Sequence, residues 1–402
     1  MKAVILAAGE GQRCKPLTLT RSKVMLFAAN KPILEHVINA LAECGIIDII
    51  IVVGYKKERI MDYFQDGVEL GVNITYVEQK GQLGTAHAIK KVAQHIDDEF
   101  IVLNGDNIVE SGTISDILEG HSGDATVLTV TRVKTRGYGV VVSDKNRVLK
   151  IVEKPMEDLS HNVNTGIYIF KPDVFEFIKA TSVSDTGEYA ITDTIQTMID
   201  TGKTISVVYS KSTWIDAVHS WDLLRANASL LERCEKSIMH GTIEEGAVVK
   251  GNVIIGTNTI IRSGSYIIGP VVIGKNCDIG PNTVILPSTT IGNNSTVESS
   301  VQIKNSIIMN DARIGAFSYI SNSIIGSHNS IGSHFITQTG ENLLIEINGI
   351  LHKADKLGTV IGDGNDIQHR VLIEPGRMVA TGCSVSSGII ISKDLPSDSI
   401  MI

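Results

Sequence analysis

From Ile243 onward an aliphatic residue returns at every sixth position: Ile243, Val249, Ile255, Ile261, Ile267, Ile273, Ile279, Ile285, Ile291, Val297 and Ile303. The register slips between Ile303 and Ile314, and the period resumes as Ile361, Ile367, Ile373, Val379, Val385 and Ile391. An amphipathic helix repeats about every 3.6 residues and a half-buried strand every second one, so neither produces this spacing. A coil of short flat sides does, when each side turns one aliphatic residue inward onto its counterpart from the next coil. Asn, Gly, Ser and Thr fill the corners between, as in IGTNT, IGKNC and IGNNS.

The pattern resembles the left-handed parallel β-helix of hexapeptide repeats, and residues 236–402 are expected to form one. The repeat disappears from about Gln338 to Gly358. That gap reads as a loop excursion from the coil stack, either a tolerated insertion or the carrier of a site or interface.

Residues 1–235 follow a different grammar. The apolar run Ala3–Leu6 enters a small, glycine-rich turn, Ala7-Ala8-Gly9-Glu10-Gly11, followed by Arg13, Lys15, Arg21 and Lys23. Glycine lets backbone N–H groups approach an anion, and nearby cations neutralise the charge those dipoles leave over, so the stretch predicts a phosphate ligand. No Gly-Lys-Ser/Thr follows, and the third glycine of the dinucleotide fingerprint is missing. A helix is expected from Lys31-Pro32 to Gly45, a buried strand over Asp48–Gly54, a helix over Lys56–Phe64, a strand over Asn73–Val77, a helix over Gly84–His95 and a strand over Phe100–Leu103. This alternation predicts an α/β, Rossmann-like domain with a mixed, mainly parallel sheet, whose ligands gather at the carboxyl ends of strands. The turn at Gly9 and the triplet Asn104-Gly105-Asp106 both follow strands and are expected to share one crevice.

A length of 402 residues suggests two or three domains. A net charge of −8 argues against a nucleic-acid surface. Cys14, Cys44, Cys234, Cys277 and Cys383 are scattered and never form C-x-x-C, which fits reduced thiols rather than a disulfide frame or zinc site. Only Lys2 separates Met1 from the first apolar run, which breaks at Gly9. Neither a signal peptide nor a membrane span is expected, and the protein is read as soluble and cytoplasmic.

LAAGEGQR at Leu6–Arg13, Lys23, Asn30-Lys31-Pro32, Gly84-Thr85-Ala86, Gly105-Asp106, Glu153-Lys154-Pro155, Asn164-Thr165-Gly166 and Trp214-Ile215-Asp216 occur in the order found in sugar-1-phosphate nucleotidylyltransferases. The chain resembles that family over nearly its whole length. The resemblance implies that the phosphate of a sugar 1-phosphate attacks the α-phosphorus of a nucleoside triphosphate, giving a UDP- or dTDP-sugar and pyrophosphate. It assigns Arg13 to the β- and γ-phosphates, Lys23 to the α-phosphate and Lys154 to the sugar phosphate. Leu6, Ala8, Gly9, Gly11, Gln79, Gly84 and Thr85 would line the nucleotide, and Gly139, Glu153, Asn164 and Gly166 the sugar. Asp106 and Asp216 would share a Mg²⁺ ion, which prefers one or two carboxylates together with phosphate oxygens and water. Tyr138 is read as packing. The chain departs from the family at Val24 and Phe27, where prolines are common.

An appended hexapeptide helix resembles that of bifunctional enzymes that also acetylate amino-sugar phosphates. Their His-Leu-Ser-Tyr segment aligns with Ala316-Phe317-Ser318-Tyr319, and alanine transfers no proton. Further on, Gly332-Ser333-His334-Phe335 and Thr339 replace the family's Gly-Ala-Gly-Thr and its asparagine, while His328, His334, His352 and His369 lie nearby. The β-helix is therefore expected to serve in oligomerisation, as a trimer, or in regulation. Acetyl transfer and a non-catalytic, sugar-nucleotide-binding regulatory subunit remain the alternatives.

Overall fold

The computed structural model describes residues 1–184, 187–234 and 237–402. The expected boundary between residues 235 and 236 lies outside the described residues. Two compact units are present. The first comprises Met1–Glu10, Ser22–Met25 and Ile33–Asp216, and the second comprises Gly11–Arg21, Leu26–Pro32 and Ala217–Ile402.

In chain order the strands of the N-terminal half are β1 (Lys2–Ala7), β2 (Phe27–Ala28), β3 (Lys31–Pro32), β4 (Asp48–Val53), β5 (Asn73–Glu78), β6 (Phe100–Asn104), β7 (Asn107–Val109), β8 (Ala125–Thr131), β9 (Val140–Asp144), β10 (Arg147–Val152), β11 (Asn162–Phe170), β12 (Ile205–Tyr209) and β13 (Trp214–Asp216). The helices are α1 (Ile33–Glu43), α2 (Lys57–Phe64), α3 (Thr85–Lys90), α4 (Ser111–Gly120), α5 (Val174–Ala180), α6 (Ile191–Asp200) and α7 (Asp222–Glu232).

The first unit is built on a nine-stranded sheet in the order β5-β4-β1-β6-β11-β8-β12-β10-β9. β1 runs parallel to β4 and β6, whereas β11 is antiparallel to both β6 and β8. Val4, Val52, Phe100 and Val102 on one face and Ile5, Ile51, Ile101 and Leu103 on the other are buried, as strands covered on both sides require. Two details differ from the sequence expectation. Lys31-Pro32 pairs with Phe27-Ala28 as a short strand before α1 begins. The helix expected over Gly84–His95 is α3 followed by a separate 3₁₀ turn, Ala93–His95.

The second unit contains three parallel sheets of eight, nine and eight short strands, each strand bonding its counterpart from the next coil. This is the left-handed parallel β-helix that the six-residue period predicts. Ile255, Ile273, Ile291, Ile308, Ile325, Ile361 and Val379 stack along one sheet and are buried. Burying each such side chain stabilises the fold by about 1.5–3 kcal/mol relative to leaving it in water. The corners are polar and left-handed: Asn258, Asn276, Asn294 and Asp311 have φ between 55° and 61°. Their side chains bond in a ladder, Asn258 to Asn276 at 3.2 Å, Asn276 to Asn294 at 3.1 Å and Asn294 to Asp311 at 3.0 Å. Asparagine tolerates this conformation better than most residues, hence its recurrence.

The slip after Ile303 has a geometric cause. Successive corner partners are 18 residues apart at Asn258–Asn276 and 17 apart at Asn294–Asp311, so one corner loses a residue per coil while the inward stack continues. The segment expected to leave the coil stack forms an antiparallel hairpin, Gly340–Ile347 with Ile350–Leu357. Ile243, expected to point into the stack, is 39% exposed because it lies in the first coil, with no full coil before it. Within this unit Asn227 of α7 accepts the Ala29 N–H at 2.8 Å and donates to Ser288 O at 3.0 Å, joining the β2–β3 turn to a coil.

Candidate functional site

The parallel register sets Leu6 of β1 beside Asn104 of β6 and Ala7 beside Val53 of β4, so three carboxyl ends fall in a row. The turn at Gly9 and the Gly105-Asp106 turn therefore lie side by side in the first unit. Ala8 O accepts the Tyr55 N–H at 3.1 Å and Gln82 Nε2–H at 2.9 Å, while Gly105 N donates to Leu6 O at 2.9 Å. A Cβ on Gly54 would come 2.9 Å from Ala8 Cβ, which explains glycine at the end of β4. At Gly9 a Cβ would meet no described atom within 4 Å, so that side of the turn is open.

The ladder of β7 with β13 pairs Asp216 with Asn107, the residue after Asp106, and so joins two carboxylates far apart in sequence. Lys23 Nζ lies 2.6 Å from Asp106 Oδ2 and 3.6 Å from Asp216 Oδ1. Asn107 donates from Nδ2 to Asp216 Oδ1 at 3.3 Å. Its buried Oδ1 has no hydrogen-bond partner among the described residues. Two carboxylates beside an unsatisfied amide oxygen form an all-oxygen donor set, the kind that suits a hard divalent cation.

Gly166, with φ of 76°, packs against the Asn104 side chain and carries the second group of predicted residues toward the Gly105-Asp106 turn. Asn164 N donates to Gly139 O at 2.9 Å, and Asn164 Nδ2 donates to the Tyr168 hydroxyl at 2.6 Å. A Cβ on Gly139 would stand 2.9 Å from Glu153 Oε2, so glycine there lets the carboxylate approach. Lys154 Nζ pairs with Glu153 at 3.4 Å, and Lys154 has a left-handed φ of 44°, a strained conformation for lysine. Trp214 Nε1 donates to Thr165 O at 3.1 Å, tying β13 to β11, and Tyr138 packs edge-on against Trp214 at 5.8 Å. Gly139, Glu153, Lys154, Asn164 and Gly166 thus form one lining, continuous through Asn104 with Asp106.

Gln79, Gly84 and Thr85 sit together at the start of α3. Gln79 is buried, with Nε2 3.3 Å from Gly84 O and 3.0 Å from His87 Nδ1. Burial, with Lys91 and Lys90 nearby, holds His87 below the ordinary imidazole value, which suits an accepting Nδ1. Thr85 Oγ1 accepts the Ile191 N–H at 2.9 Å. Gly84 has φ of 97°, and a Cβ there would meet Tyr189 O at 2.5 Å.

Arg13 and Gly11 belong to the second unit. Arg13 is exposed on the 3₁₀ turn Gln12–Cys14, which Gly11 opens in a left-handed conformation. Its neighbour in that unit is His352 of the hairpin, which hydrogen-bonds His219 at 3.0 Å. Burial first, then His219 and Arg13, keep the His352 imidazole below its ordinary value. Arg21, expected among the phosphate-facing cations, is only 3% exposed and pairs with Asp363. Its guanidinium is enclosed by protein and is unavailable to a phosphate in this arrangement.

Sequence reasoning missed Asn107, Gln82 and Tyr168, each adjacent to a motif but conspicuous only through its partners. At the position of the acetyl-transfer histidine, Ala316 offers a backbone N–H to Glu298 at 3.1 Å. Phe317 there stacks on His334 at 5.2 Å. His328 and His334 are exposed corner residues with left-handed φ. Among the described residues no group of three His, Cys, Asp or Glu is arranged to hold a metal, and no helix is long and apolar enough to cross a membrane.

The Nucleotidyl transferase family model matches residues 2–233, and that of the GMPPB C-terminal domain matches residues 267–374. Bifunctional protein GlmU of Methanocaldococcus jannaschii is 35% identical over all of this chain and 97% of its own length. Low-salt glycan biosynthesis nucleotidyltransferase Agl11 of Haloferax volcanii is 35% identical over 83% of this chain and 94% of its own. The solved structure of a Bacillus anthracis protein assigned as a glucose-1-phosphate thymidylyltransferase, in complex with a sucrose, is 31% identical. It has a TM-score of 0.52 and covers 57% of this chain and 94% of its own. With the family model spanning the whole α/β sheet and full-length relatives above 30% identity, the chain belongs to the nucleotidyl transferase family.

Proposed function

We propose that the chain joins a sugar 1-phosphate to a nucleoside monophosphate taken from a triphosphate. The carrying observation is Lys23 between Asp106 and Asp216, beside the open glycine turn and continuous with the Gly139–Glu153–Asn164 lining. A phosphate oxygen of the sugar 1-phosphate attacks the α-phosphorus, the bond from that phosphorus to the bridging oxygen breaks, and pyrophosphate leaves with both electrons. The nucleophile is already anionic, so the protein's task is positioning and charge cancellation.

In this reading Lys23 faces the α-phosphate and Arg13 the β- and γ-phosphates, with Leu6, Ala8, Gly9 and Gly11 as the floor beneath them. Gln79, Gly84 and Thr85 border the base, UTP or dTTP. Lys154 meets the sugar phosphate, and Gly139, Glu153, Asn164 and Gly166 line the sugar, glucose or N-acetylglucosamine. Asp106 and Asp216 would hold Mg²⁺, whose chemistry is to neutralise the phosphates in flight. The test is pyrophosphate release from a panel of triphosphates with glucose 1-phosphate and N-acetylglucosamine 1-phosphate. Turnover that stops with chelator and returns with Mg²⁺ supports the reading; silence with every pair overturns it.

The outward row of one β-helix sheet, Val248, Tyr266, Val284, Gln302, Tyr319, Ile336, Leu372 and Ile390, is apolar at every position but Gln302. Exposed apolar patches of this extent mark interfaces, which supports a homotrimer packed through this sheet. Light scattering on the purified chain tests it, with a monomer as the contrary result. Acetyl transfer is favoured by full-length similarity to proteins named bifunctional and opposed by Ala316. Release of free CoA from acetyl-CoA and glucosamine or galactosamine 1-phosphate decides between these.

A further inference from the structure

Gln79 follows β5 directly, and its backbone N–H donates to Val53 O at 2.8 Å, which sets it in the row of carboxyl ends beside Ala7. The residue is only 4% exposed, with Nε2 3.3 Å from Gly84 O and 3.0 Å from His87 Nδ1. A backbone carbonyl only accepts, so Gly84 takes one amide N–H and the other points at His87. Both donors are thereby spent. Among the described residues Oε1 accepts no hydrogen bond, and it is not one of the buried side-chain atoms left without a partner, so it faces open space.

The imidazole is held in place from two sides. Leu83 O accepts the Tyr189 N–H at 2.8 Å and Tyr189 O accepts the Ala86 N–H at 2.9 Å, so the start of α3 is pinned by one backbone residue. The Gly81 backbone bonds the His87 ring and by itself favours the charged form, as a carbonyl accepting a ring N–H does. With a ring proton on that side, Nδ1 keeps its lone pair for Gln79. A flipped amide would set Oε1 against the Gly84 carbonyl and the His87 lone pair, two acceptors at once.

We propose that His87 is a positioning residue for base selection: by accepting from Gln79 Nε2 it holds the amide with Oε1 toward the base, where that oxygen reads a ring N–H. This rests on the reading that Gln79 borders the base. Uracil and thymine carry a ring N–H at N3, whereas cytosine carries a lone pair there and an oxygen facing it is repelled. A site built to bond a substrate N–H rejects an analogue without it by on the order of 10⁴-fold.

The test measures kcat/KM for UTP, dTTP and CTP, together with thermal unfolding, in the full-length wild type, Gln79→Leu, His87→Phe, His87→Leu and His87→Asn. Phenylalanine and leucine remove the acceptor with and without the bulk of the ring, so one folded variant of the two suffices. Asparagine sets a carbonyl oxygen close to the place of Nδ1 and keeps the acceptor. Wild type should prefer the better of UTP and dTTP over CTP by on the order of 10⁴-fold. That preference should fall by about tenfold or more in the folded His87→Phe or His87→Leu variant, the scale of one lost hydrogen bond, and stay within about threefold of wild type in His87→Asn. A merely structural role would lower the rates with all three triphosphates together. An unchanged preference in a folded variant without the acceptor, or a wild type that takes CTP as readily as UTP or dTTP, overturns the proposal. If Gln79→Leu loses the preference and the His87 variants keep it, the reading of Gln79 stands and the role of His87 falls. A silent wild type, or wild-type preference in Gln79→Leu, overturns both.

Discussion

The two halves of this chain encode structure in opposite ways. In the β-helix each inward aliphatic residue does the same work as its neighbours above and below, so the information is periodic and redundant. In the α/β unit each proposed site residue occurs once, most of them at or just beyond a strand end, and its meaning depends on which strands become neighbours. A substitution in the repeat should therefore change stability and spare chemistry, whereas one at a strand end should do the reverse.

The sharpest test of that contrast is Asp106→Ala. Turnover should fall by about 10³-fold, the scale of losing one preorganised electrostatic group, while the melting temperature moves by only a few degrees. A melting temperature that collapsed together with the rate would erase the distinction. Ile279→Ala probes the other half. It should cost about 2–5 kcal/mol in denaturant titrations, as large-to-small changes in a packed core do, with KM unchanged. Ile243→Ala makes the same chemical change in the partly exposed first coil and should cost about 1 kcal/mol or less, so the pair measures how much of the stack's stability comes from having a coil on each side.

The smallest effects concern acid. Asp124 in the sheet unit is held below the ordinary carboxylate range chiefly by the Thr204 N–H, with Lys203 adding to it. Glu298 in the β-helix is held low chiefly by Arg313, with the Ala316 N–H adding to it. A carboxyl whose folded value is depressed contributes stability that is full above its unfolded value of about 4 and is lost as the pH falls through the folded value. Asp124→Asn and Glu298→Gln should each lower stability at pH 6, and each difference should shrink below about pH 4. Unequal slopes in acid unfolding curves would show which half fails first.

Much of the site was legible because its motifs fall at strand ends. Leu6–Gly11 and Gly105-Asp106 read as turns following apolar runs, and Asn164–Phe170 as a strand. Asn107 and Tyr168 were not legible, since an amide with one orphaned atom or a hydroxyl bonded to Asn164 is defined by its partner alone. Arg21 read as one of four equivalent cations, and sequence carries no sign of which cation becomes buried. The hairpin at Gly340–Leu357 was visible only as an interruption, because its alternation is weak beside the strict period around it.

Sequence by itself determined the two fold classes, since periodicity and apolar strand runs are local properties that survive without any knowledge of neighbours. It also determined the chemical inventory: glycine turn, cations and aspartates. Tertiary structure alone decided that Asp216 joins Asp106 across the β7–β13 ladder, that Gly166 packs against Asn104, and that Arg21 turns to Asp363. Those pairings join residues far apart in the chain, and their energy depends on distance and burial, neither of which is a property of a residue read in isolation.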